Sequence, residues 1–209
     1  MRILITAFDA FGGEDTNVSQ EILRALPDFV GGTELVKEVL PTVFGEASRR
    51  AAEAALRCRP DAILCLGQAA GRDAVTPERA AINIMDAERP DNAGNCPCDE
   101  PIDPEGPAAY FSTLPIREMV RLMRERGIPA KISNTAGTFV CNSLMYGMLR
   151  FTSQRCPAVP CGFVHLPRLD TQTGPGEPGL AREVLLRAAE TAVEAVKART
   201  RDVFRRPLS

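Results

Sequence analysis

A cysteine near the start of a predicted helix is the first residue of this chain whose type and position suggest chemistry. Cys141 lies in the segment TAGTFVCNSLMY, residues 135–146, in which Gly137 and Thr138 are residue types that often start a helix. The helix dipole and the free N–H groups of a first turn favour a thiolate, so we expect a lowered pKa for this thiol. The same N–H groups could hold an oxyanion. Cys141 is therefore a candidate nucleophile, against the alternative of one more buried cysteine.

A single histidine limits the mechanisms that are open to the chain. His165 is the only histidine in 209 residues, so metal sites that need two histidines cannot be built. A general base that works near neutral pH has this one candidate, although a lone histidine at the end of an apolar strand is more often structural. A cysteine–histidine pair also needs a third group that orients the ring. Spacing alone leaves four carboxylates open for that position: Asp9, Glu78, Asp86 and Asp91.

The elements that must position these residues are short apolar strands alternating with amphipathic helices. The strands are predicted at Ile3–Ala7, Glu34–Leu40, Ala62–Leu66, Ala81–Met85, Ala130–Ser133 and Gly162–Leu166, and the helices at Asn17–Leu26, Gly45–Cys58, Pro115–Arg126, Gly137–Phe151 and Leu180–Thr200. This alternation predicts an α/β fold, a three-layer sandwich with a largely parallel (mixed) sheet flanked by helices. We expect one domain over residues 1–209, with a frayed tail from about residue 201.

The polar and glycine-rich segments follow the predicted strands, where ligands bind in sheets of this kind. FDAFGG at 8–13 follows the first strand, GQAAGR at 67–72 the third and NTAGT at 134–138 the fifth, while His165 ends the last strand. The segment Glu88–Ala109 is rich in Pro, Asp and Asn and is predicted to be a long loop, which in a compact domain is often functional or mobile.

Composition excludes several classes of function. The net charge of −2 and the absence of a basic cluster interleaved with aromatic residues argue against nucleic acid as a partner. No apolar run approaches the roughly 20 residues that a membrane span needs. No signal-peptide pattern is visible, so we interpret the seven cysteines as reduced thiols of a cytoplasmic protein. Neither GxGxxG nor a P-loop occurs, and Cys96 and Cys98 lack further metal ligands nearby. No cofactor and no metal are expected.

Several long segments occur in an order that is typical of one enzyme family. They are FDAFGG at 8–13, PTVF at 41–44, GQAAGR at 67–72, ERAAIN at 78–83, PDNAGN at 90–95, YFSTLP at 110–115, SNTAGTFVCN at 133–142 and GFVHLP at 162–167. On these segments the chain resembles the pyroglutamyl-peptidase I family of cysteine peptidases, also called pyrrolidone-carboxylate peptidases. The resemblance extends to about residue 172.

The resemblance implies a catalytic triad of Cys141 as nucleophile, His165 as general acid and base, and Glu78 as the carboxylate that orients it. It implies a cysteine exopeptidase that removes an N-terminal pyroglutamyl residue from small peptides and assembles as a homo-oligomer, a dimer or a tetramer. The residues it implies around the pyroglutamyl ring are Phe8, Phe11, Thr42, Gln68 (near the lactam), Phe139 and Val140. A neutral lactam needs an apolar slot with partners for one N–H and one C=O, which agrees with these residue types.

Two short segments depart from the family, and one of them is CPC at 96–98, in a stretch where its members usually have no cysteine. Where its members usually read DARIPDN, this chain has DAERPDN at 86–92, so Glu88 and Arg89 replace an arginine and an isoleucine. Either Arg89 takes over from one position later in binding the substrate and its oxyanion, or backbone N–H groups act alone. The alternatives to this function are a different hydrolase or nucleoside-cleaving enzyme on a similar sheet, and a non-catalytic binding protein.

Overall fold

The computed structural model describes the backbone of residues 1–205 and the side chains of residues 1–199. Its main sheet contains β1 (Arg2–Phe8), β2 (Phe29–Val30), β3 (Thr33–Leu40), β4 (Ala62–Gln68), β5 (Thr76–Pro77) and β8 (Cys161–Leu166). The strand order is β2-β3-β1-β4-β8-β5, in which β3, β1, β4 and β8 run parallel and the two edge strands are antiparallel to their neighbours. The short strands β6 (Ala80–Ile82) and β7 (Ala109–Phe111) pair in a separate antiparallel sheet.

Helices cover both faces of the main sheet. They are α1 (Val18–Ala25), α2 (Glu46–Cys58), α3 (Ile116–Glu125), α4 (Val140–Arg155) and α5 (Arg182–Arg205). The apolar sides of α1, α3 and α5 form a core against one face, and those of α2 and α4 form a second core against the other. The predicted α/β sandwich with a largely parallel, mixed sheet is confirmed.

Alternation of side chains along each strand decides which face a residue serves. In β8, Val164 and Leu166 belong to the core beneath α1, α3 and α5, whereas Cys161 and Phe163 belong to the core beneath α4. Because the side-chain period of a strand is two, His165 lies on the face of Phe163, and the two rings are 4.7 Å apart between centroids. The fold therefore turns the one histidine toward helix α4.

Two predicted strands differ from those found. The segment at Ala130–Ser133 forms only isolated bridges, from Ala130 to Val75 and from Ser133 to Glu78, because it lies beside the two-residue edge strand β5. The strand predicted at Ala81–Met85 is found as β6, one residue earlier and shorter, outside the main sheet. The sequence did not indicate β2, β5 or β7, which are too short to display a period.

Helix boundaries agree closely except at both ends of α4, which continues to Arg155 instead of Phe151, and at the end of α5. Helix α4 begins at Val140 rather than at Gly137, whose positive φ of 82° places it in the preceding loop. Helix α5 extends to Arg205, into the segment predicted to be a frayed tail, and residues 206–209 lie outside the described part of the chain. No helix among the described residues combines the length and the apolar character that a membrane crossing requires.

Candidate active site

Cys141 is the second residue of helix α4, so it lies in the first turn as the sequence predicted. The residue before the helix, Phe139, has extended backbone geometry, and no side chain caps this end of the helix. The N–H groups of an uncapped first turn have no partner within their own helix and can donate to a ligand. A thiol and a set of N–H donors therefore occupy the same end of α4.

His165 and Glu78 are brought together by the antiparallel pairing of β5 with β8. Thr76 pairs with His165, and the Glu78 N–H donates to the carbonyl of Phe163 at 2.9 Å. This register places His165 Nδ1 2.7 Å from Glu78 Oε1, and both side chains are almost completely buried. A hydrogen bond at Nδ1 leaves Nε2 as the ring nitrogen that can exchange protons with a reactant.

Gly67 leaves space for the thiol beside this pair. It lies directly opposite His165 in the parallel pairing of β4 with β8. A Cβ atom at position 67 would lie only 3.1 Å from Cys141 Sγ and 2.6 Å from Phe163 Cζ. The absence of a side chain on β4 thus allows the thiol of α4 to approach the sheet next to the imidazole.

The protonation of the thiol differs from the expectation drawn from its helix-start position. Burial raises the pKa of Cys141 to about 12, and the charge of Glu78 adds to that shift while the charge of Arg72 opposes it. Burial also lowers the pKa of His165, although the hydrogen bond with Glu78 acts in the opposite direction. The expected lowering of the thiol pKa is wrong, because desolvation outweighs the helix terminus. Both shifts favour the uncharged forms of the pair, a thiol and a neutral imidazole.

Most of the predicted site residues line one cleft of about 730 Å³ at the carboxyl ends of the strands. Two are not part of its lining. Val140 is fully buried in the core between α2, α4 and the sheet, so it supports the wall from behind. Glu78 is buried behind His165. The predicted residues that line the cleft are Phe8, Phe11, Thr42, Gln68, Arg89, Phe139, Cys141 and His165.

Aromatic rings form one wall of the cleft. The rings of Phe11 and Phe139 are 5.0 Å apart between centroids, and Phe44 packs edge-on against Phe139 at 5.2 Å. The Arg89 guanidinium lies over the Phe11 ring at 4.6 Å. This stacking assigns Arg89 to the aromatic wall. It therefore favours the alternative in which backbone N–H groups, without an arginine, bind the oxyanion.

Gln68 has a fixed amide orientation. Its Oε1 accepts from the Val18 N–H at 2.9 Å, and its Nε2 donates to Glu14 Oε2 at 3.0 Å. Glu14 is in turn paired with Arg168 through its other oxygen. Since Nε2 carries two hydrogens, Gln68 keeps one N–H donor for a ligand in the cleft.

Two carboxylates attach the long loop to the cleft. Asp9 Oδ1 accepts from the Thr42 hydroxyl at 2.8 Å and from Asn92 Nδ2 at 3.1 Å. Burial raises the pKa of Asp91, but hydrogen bonds from the Asn95 amide and from backbone N–H groups, including that of Phe44 at 2.9 Å, lower it overall. The start of the predicted loop is therefore held in place by hydrogen bonds, which keeps Arg89 at the aromatic wall.

Three charged residues at the cleft were missed by the sequence prediction: Glu14, Arg72 and Arg168. Arg72 Nη1 lies 2.6 Å from the same Glu78 oxygen that binds His165. Arg72 stands in the GQAAGR segment, which follows a predicted strand at the ligand edge, and that position was the available signal. Glu14 and Arg168 had no comparable signal. Among the described residues, no group of three or more His, Cys, Asp or Glu side chains is arranged to hold a metal ion.

Comparison with known proteins points to one family. The profile of the pyroglutamyl peptidase family matches residues 1–199. A pyrrolidone-carboxylate peptidase of Thermoanaerobacter sp. is 47% identical over 203 residues, which cover 96% of this chain and 100% of that relative. One from Escherichia fergusonii is 48% identical over 194 residues, with 91% of this chain and 90% of the relative covered.

Two solved structures share the fold at similar coverage. Pyroglutamyl peptidase I of Bacillus amyloliquefaciens superposes with a TM-score of 0.90 at 42% identity, covering 94% of this chain and 97% of that one. Pyrrolidone carboxyl peptidase of Pyrococcus furiosus gives 0.91 at 38% identity, covering 96% and 100%. The chain therefore belongs to the pyroglutamyl peptidase family, cysteine peptidases that hydrolyse N-terminal pyroglutamyl residues.

Proposed function

We propose that this protein releases N-terminal pyroglutamate from small peptides through a thioester formed on Cys141. The observation that carries the proposal is the cluster itself: a buried Glu78–His165 hydrogen bond of 2.7 Å and a helix-start thiol in one cleft with aromatic walls. Family membership favours this activity over a nucleoside-cleaving enzyme or a non-catalytic binding protein.

The first half of the reaction forms the acyl-enzyme. Because thiol and imidazole are both neutral at rest, Cys141 Sγ attacks the pyroglutamyl carbonyl carbon while its proton passes to His165 Nε2. The N–H groups of the first turn of α4 donate hydrogen bonds to the developing oxyanion. When the C–N bond breaks, the leaving amine takes the proton from His165, and the shortened peptide departs.

The second half regenerates the enzyme. His165 Nε2 removes a proton from a water molecule, whose oxygen attacks the thioester carbonyl, and the C–S bond breaks. The proton then returns from His165 to the sulfur, and free pyroglutamate leaves. Throughout both halves, Glu78 holds the proton on Nδ1 and stabilises the imidazolium that forms twice.

The walls of the cleft account for selectivity in this proposal. The rings of Phe11 and Phe139 offer an apolar slot, and the fixed N–H donor of Gln68 suits the lactam carbonyl. Proline lacks that carbonyl and would leave a buried donor without a partner, so prolyl peptides should be poor substrates. Phe8 and Thr42 complete the slot, with the Thr42 hydroxyl already engaged by Asp9.

The proposal is tested with a fluorogenic pyroglutamyl amide, compared with the prolyl amide of the same fluorophore. We expect hydrolysis of the first and little of the second, loss of turnover in Cys141→Ser and His165→Ala, and loss after alkylation of Cys141. Cys58→Ser serves as the control, since Cys58 lies at the end of α2, outside the cleft. Full activity in Cys141→Ser, or no hydrolysis by the purified wild-type protein, would refute the proposal.

We propose further that the chain acts as a single domain, in the cytoplasm, as a homo-oligomer. The two cores share one sheet, which supports a single domain, and the seven cysteines are free, as in a reducing compartment. Light scattering after size exclusion gives the oligomeric state, and a mass equal to one chain would contradict a dimer or tetramer. Cell fractionation tests the compartment.

A further inference from the structure

We propose that Arg72 is a positioning residue of the active site, which sets the proton affinity of His165 through their shared carboxylate oxygen on Glu78. This inference rests on the proposed function for its consequence in turnover, but its central claim concerns the imidazole alone. Arg72 follows β4 in the turn that leads to β5, and it lines the cleft with a side chain that is 25% exposed.

The geometry at Glu78 carries the proposal. Oε1 receives two charged or polar donors, His165 Nδ1 at 2.7 Å and Arg72 Nη1 at 2.6 Å. The other oxygen, Oε2, is buried without a hydrogen-bond partner. Because both donors bind the same carboxylate oxygen, the guanidinium and the imidazole compete for the same negative charge.

Arg72 is itself fixed in this position. The same Nη1 donates to the hydroxyl of Thr76, which pairs with His165 across β5 and β8. The guanidinium therefore contacts Thr76, the residue paired with His165, and Glu78, the residue hydrogen-bonded to the imidazole ring. Because Glu78 is completely buried, the arginine also supplies the positive charge that such a carboxylate needs to remain ionised.

The electrostatic consequence has a definite sign. The charged and titratable groups that act on His165 are Glu78 and Arg72, and those that act on Cys141 include both of them. Burial lowers the pKa of His165, Glu78 raises it, and Arg72 lowers it further. Arg72 thus keeps the imidazole neutral, ready to accept the thiol proton, and keeps Glu78 from taking the imidazole proton for itself.

Removing the guanidinium should leave the effect of Glu78 on the pKa of His165 without the opposing effect of Arg72. In Arg72→Gln, Oε1 is left to His165 alone, so the imidazole binds its proton more tightly and the acid limb of the kcat/KM profile moves to higher pH. We expect kcat/KM at neutral pH to fall about 10- to 100-fold, the effect of losing one hydrogen bond to a charged group. KM should change little. Arg72→Lys, which keeps the charge, should retain the wild-type acid limb.

The decisive measurement is an NMR titration of the imidazole, which is unambiguous because the chain has one histidine. It is made on the full chain without a histidine tag, for wild type, Arg72→Gln, Arg72→Lys and Arg79→Gln. Arg79 is the matched control, because it is adjacent to Glu78 in sequence but its side chain binds Asn134 instead. Urea unfolding of each variant separates loss of folding from loss of positioning.

The expected result is an imidazole that titrates at higher pH in Arg72→Gln than in the wild type, Arg72→Lys and Arg79→Gln. An unchanged imidazole titration in folded Arg72→Gln overturns the proposal, whatever happens to turnover. The converse case is also distinguishable: a wild-type protein that does not cleave pyroglutamyl amides refutes the proposed function, while the titration still decides the role of Arg72. If Arg72→Gln does not fold, the comparison of Arg72→Lys with Arg72→Met at the same readout decides it.

Discussion

Replacement of Gly67 by alanine should damage the site far more than its size suggests. The new Cβ would lie 2.6 Å from Phe163 Cζ, while ordinary contact begins at 3.4 Å, so the ring must move by roughly 0.8 Å. Phe163 is completely buried, which leaves it little room to do so. Overpacking of this kind costs about 1–3 kcal/mol of unfolding free energy.

The same Cβ acts on the nucleophile. It would lie 3.1 Å from Cys141 Sγ, and it is opposite His165 in the register of β4 and β8. Displacement of the thiol and of the Phe163 ring that packs on the imidazole should misalign the pair, and a misplacement of about 1 Å can cost about 100-fold in rate. We therefore expect kcat/KM of Gly67→Ala on a pyroglutamyl amide to fall about 100-fold, mainly through kcat.

Gly162→Ala provides the matched control for this experiment. Gly162 lies on β8, the neighbour of β4, and does not line the cleft. A Cβ atom added to it would clash with Ser112 Oγ and lie 3.0 Å from Leu114 Cδ1. Both variants should lose stability in urea unfolding. Only Gly67→Ala should lose more activity than its unfolded fraction accounts for. A folded Gly67→Ala protein with activity within about twofold of the wild type would refute the argument, because a twofold loss is far smaller than the loss of about 100-fold expected from misalignment.

Three further outcomes follow from the contacts of single side chains. Glu78→Gln should lower kcat about 100- to 10,000-fold with a smaller change in KM, because it disturbs the tautomer of His165; steady-state kinetics in which KM alone changes would contradict the orienting role. Glu14→Ala should release the Gln68 amide, lower kcat/KM for a pyroglutamyl amide about 10-fold and narrow its advantage over the prolyl amide; an unchanged ratio would show that Glu14 does not fix Gln68. The pKa of Asp91 is held below its ordinary value, so its stabilisation is complete above about pH 4 and is lost as the pH falls through the lowered pKa. Asp91→Asn should therefore cost about 1–3 kcal/mol in urea unfolding at pH 7 and less at pH 3, and an equal cost at both values would exclude this linkage.

The sequence was sufficient for the four parallel strands of the main sheet and for the pair that faces the cleft. Runs such as Ala62–Leu66 are apolar on both faces because α1 and α5 cover one side and α2 and α4 the other, so covered strands could be recognised without any template. The end of β8 and the start of α4 were both visible as patterns. Placing Cys141 and His165 at one edge therefore needed only the rule that ligands bind beyond the carboxyl ends of parallel strands.

The partner of His165 could not be chosen from spacing, and the structure gives the reason. Glu78 reaches the ring through β5, a strand of two residues whose antiparallel register with β8 depends on tertiary contacts. Asp9 and Asp91, two of the competing carboxylates, are occupied by hydrogen bonds that attach the long loop. Only the family resemblance singled out Glu78, since no local pattern records which carboxylate is buried.

The protonation state of Cys141 distinguishes two mechanisms. In one the nucleophile is a preformed thiolate, and in the other a neutral thiol must lose its proton to a base in each turnover. With a pKa of about 12, only about one thiol in 100,000 is ionised at pH 7. We expect the rate of alkylation of Cys141 by iodoacetamide, followed by peptide mass spectrometry, to rise continuously between about pH 7 and pH 10, in step with the ionised fraction. The exposed thiols of Cys96 and Cys98 in the same sample provide an internal reference.

A resting thiolate–imidazolium pair would behave differently, because its alkylation rate would already reach a plateau below pH 7. Such a plateau would contradict the neutral pair and restore the pKa lowering first expected from the helix start. A continuous rise together with high turnover at pH 7 leads to a further conclusion. Since so little thiolate exists at rest, His165 must remove the Cys141 proton within each catalytic cycle, and the single histidine is then required at every turnover in both of its protonation states.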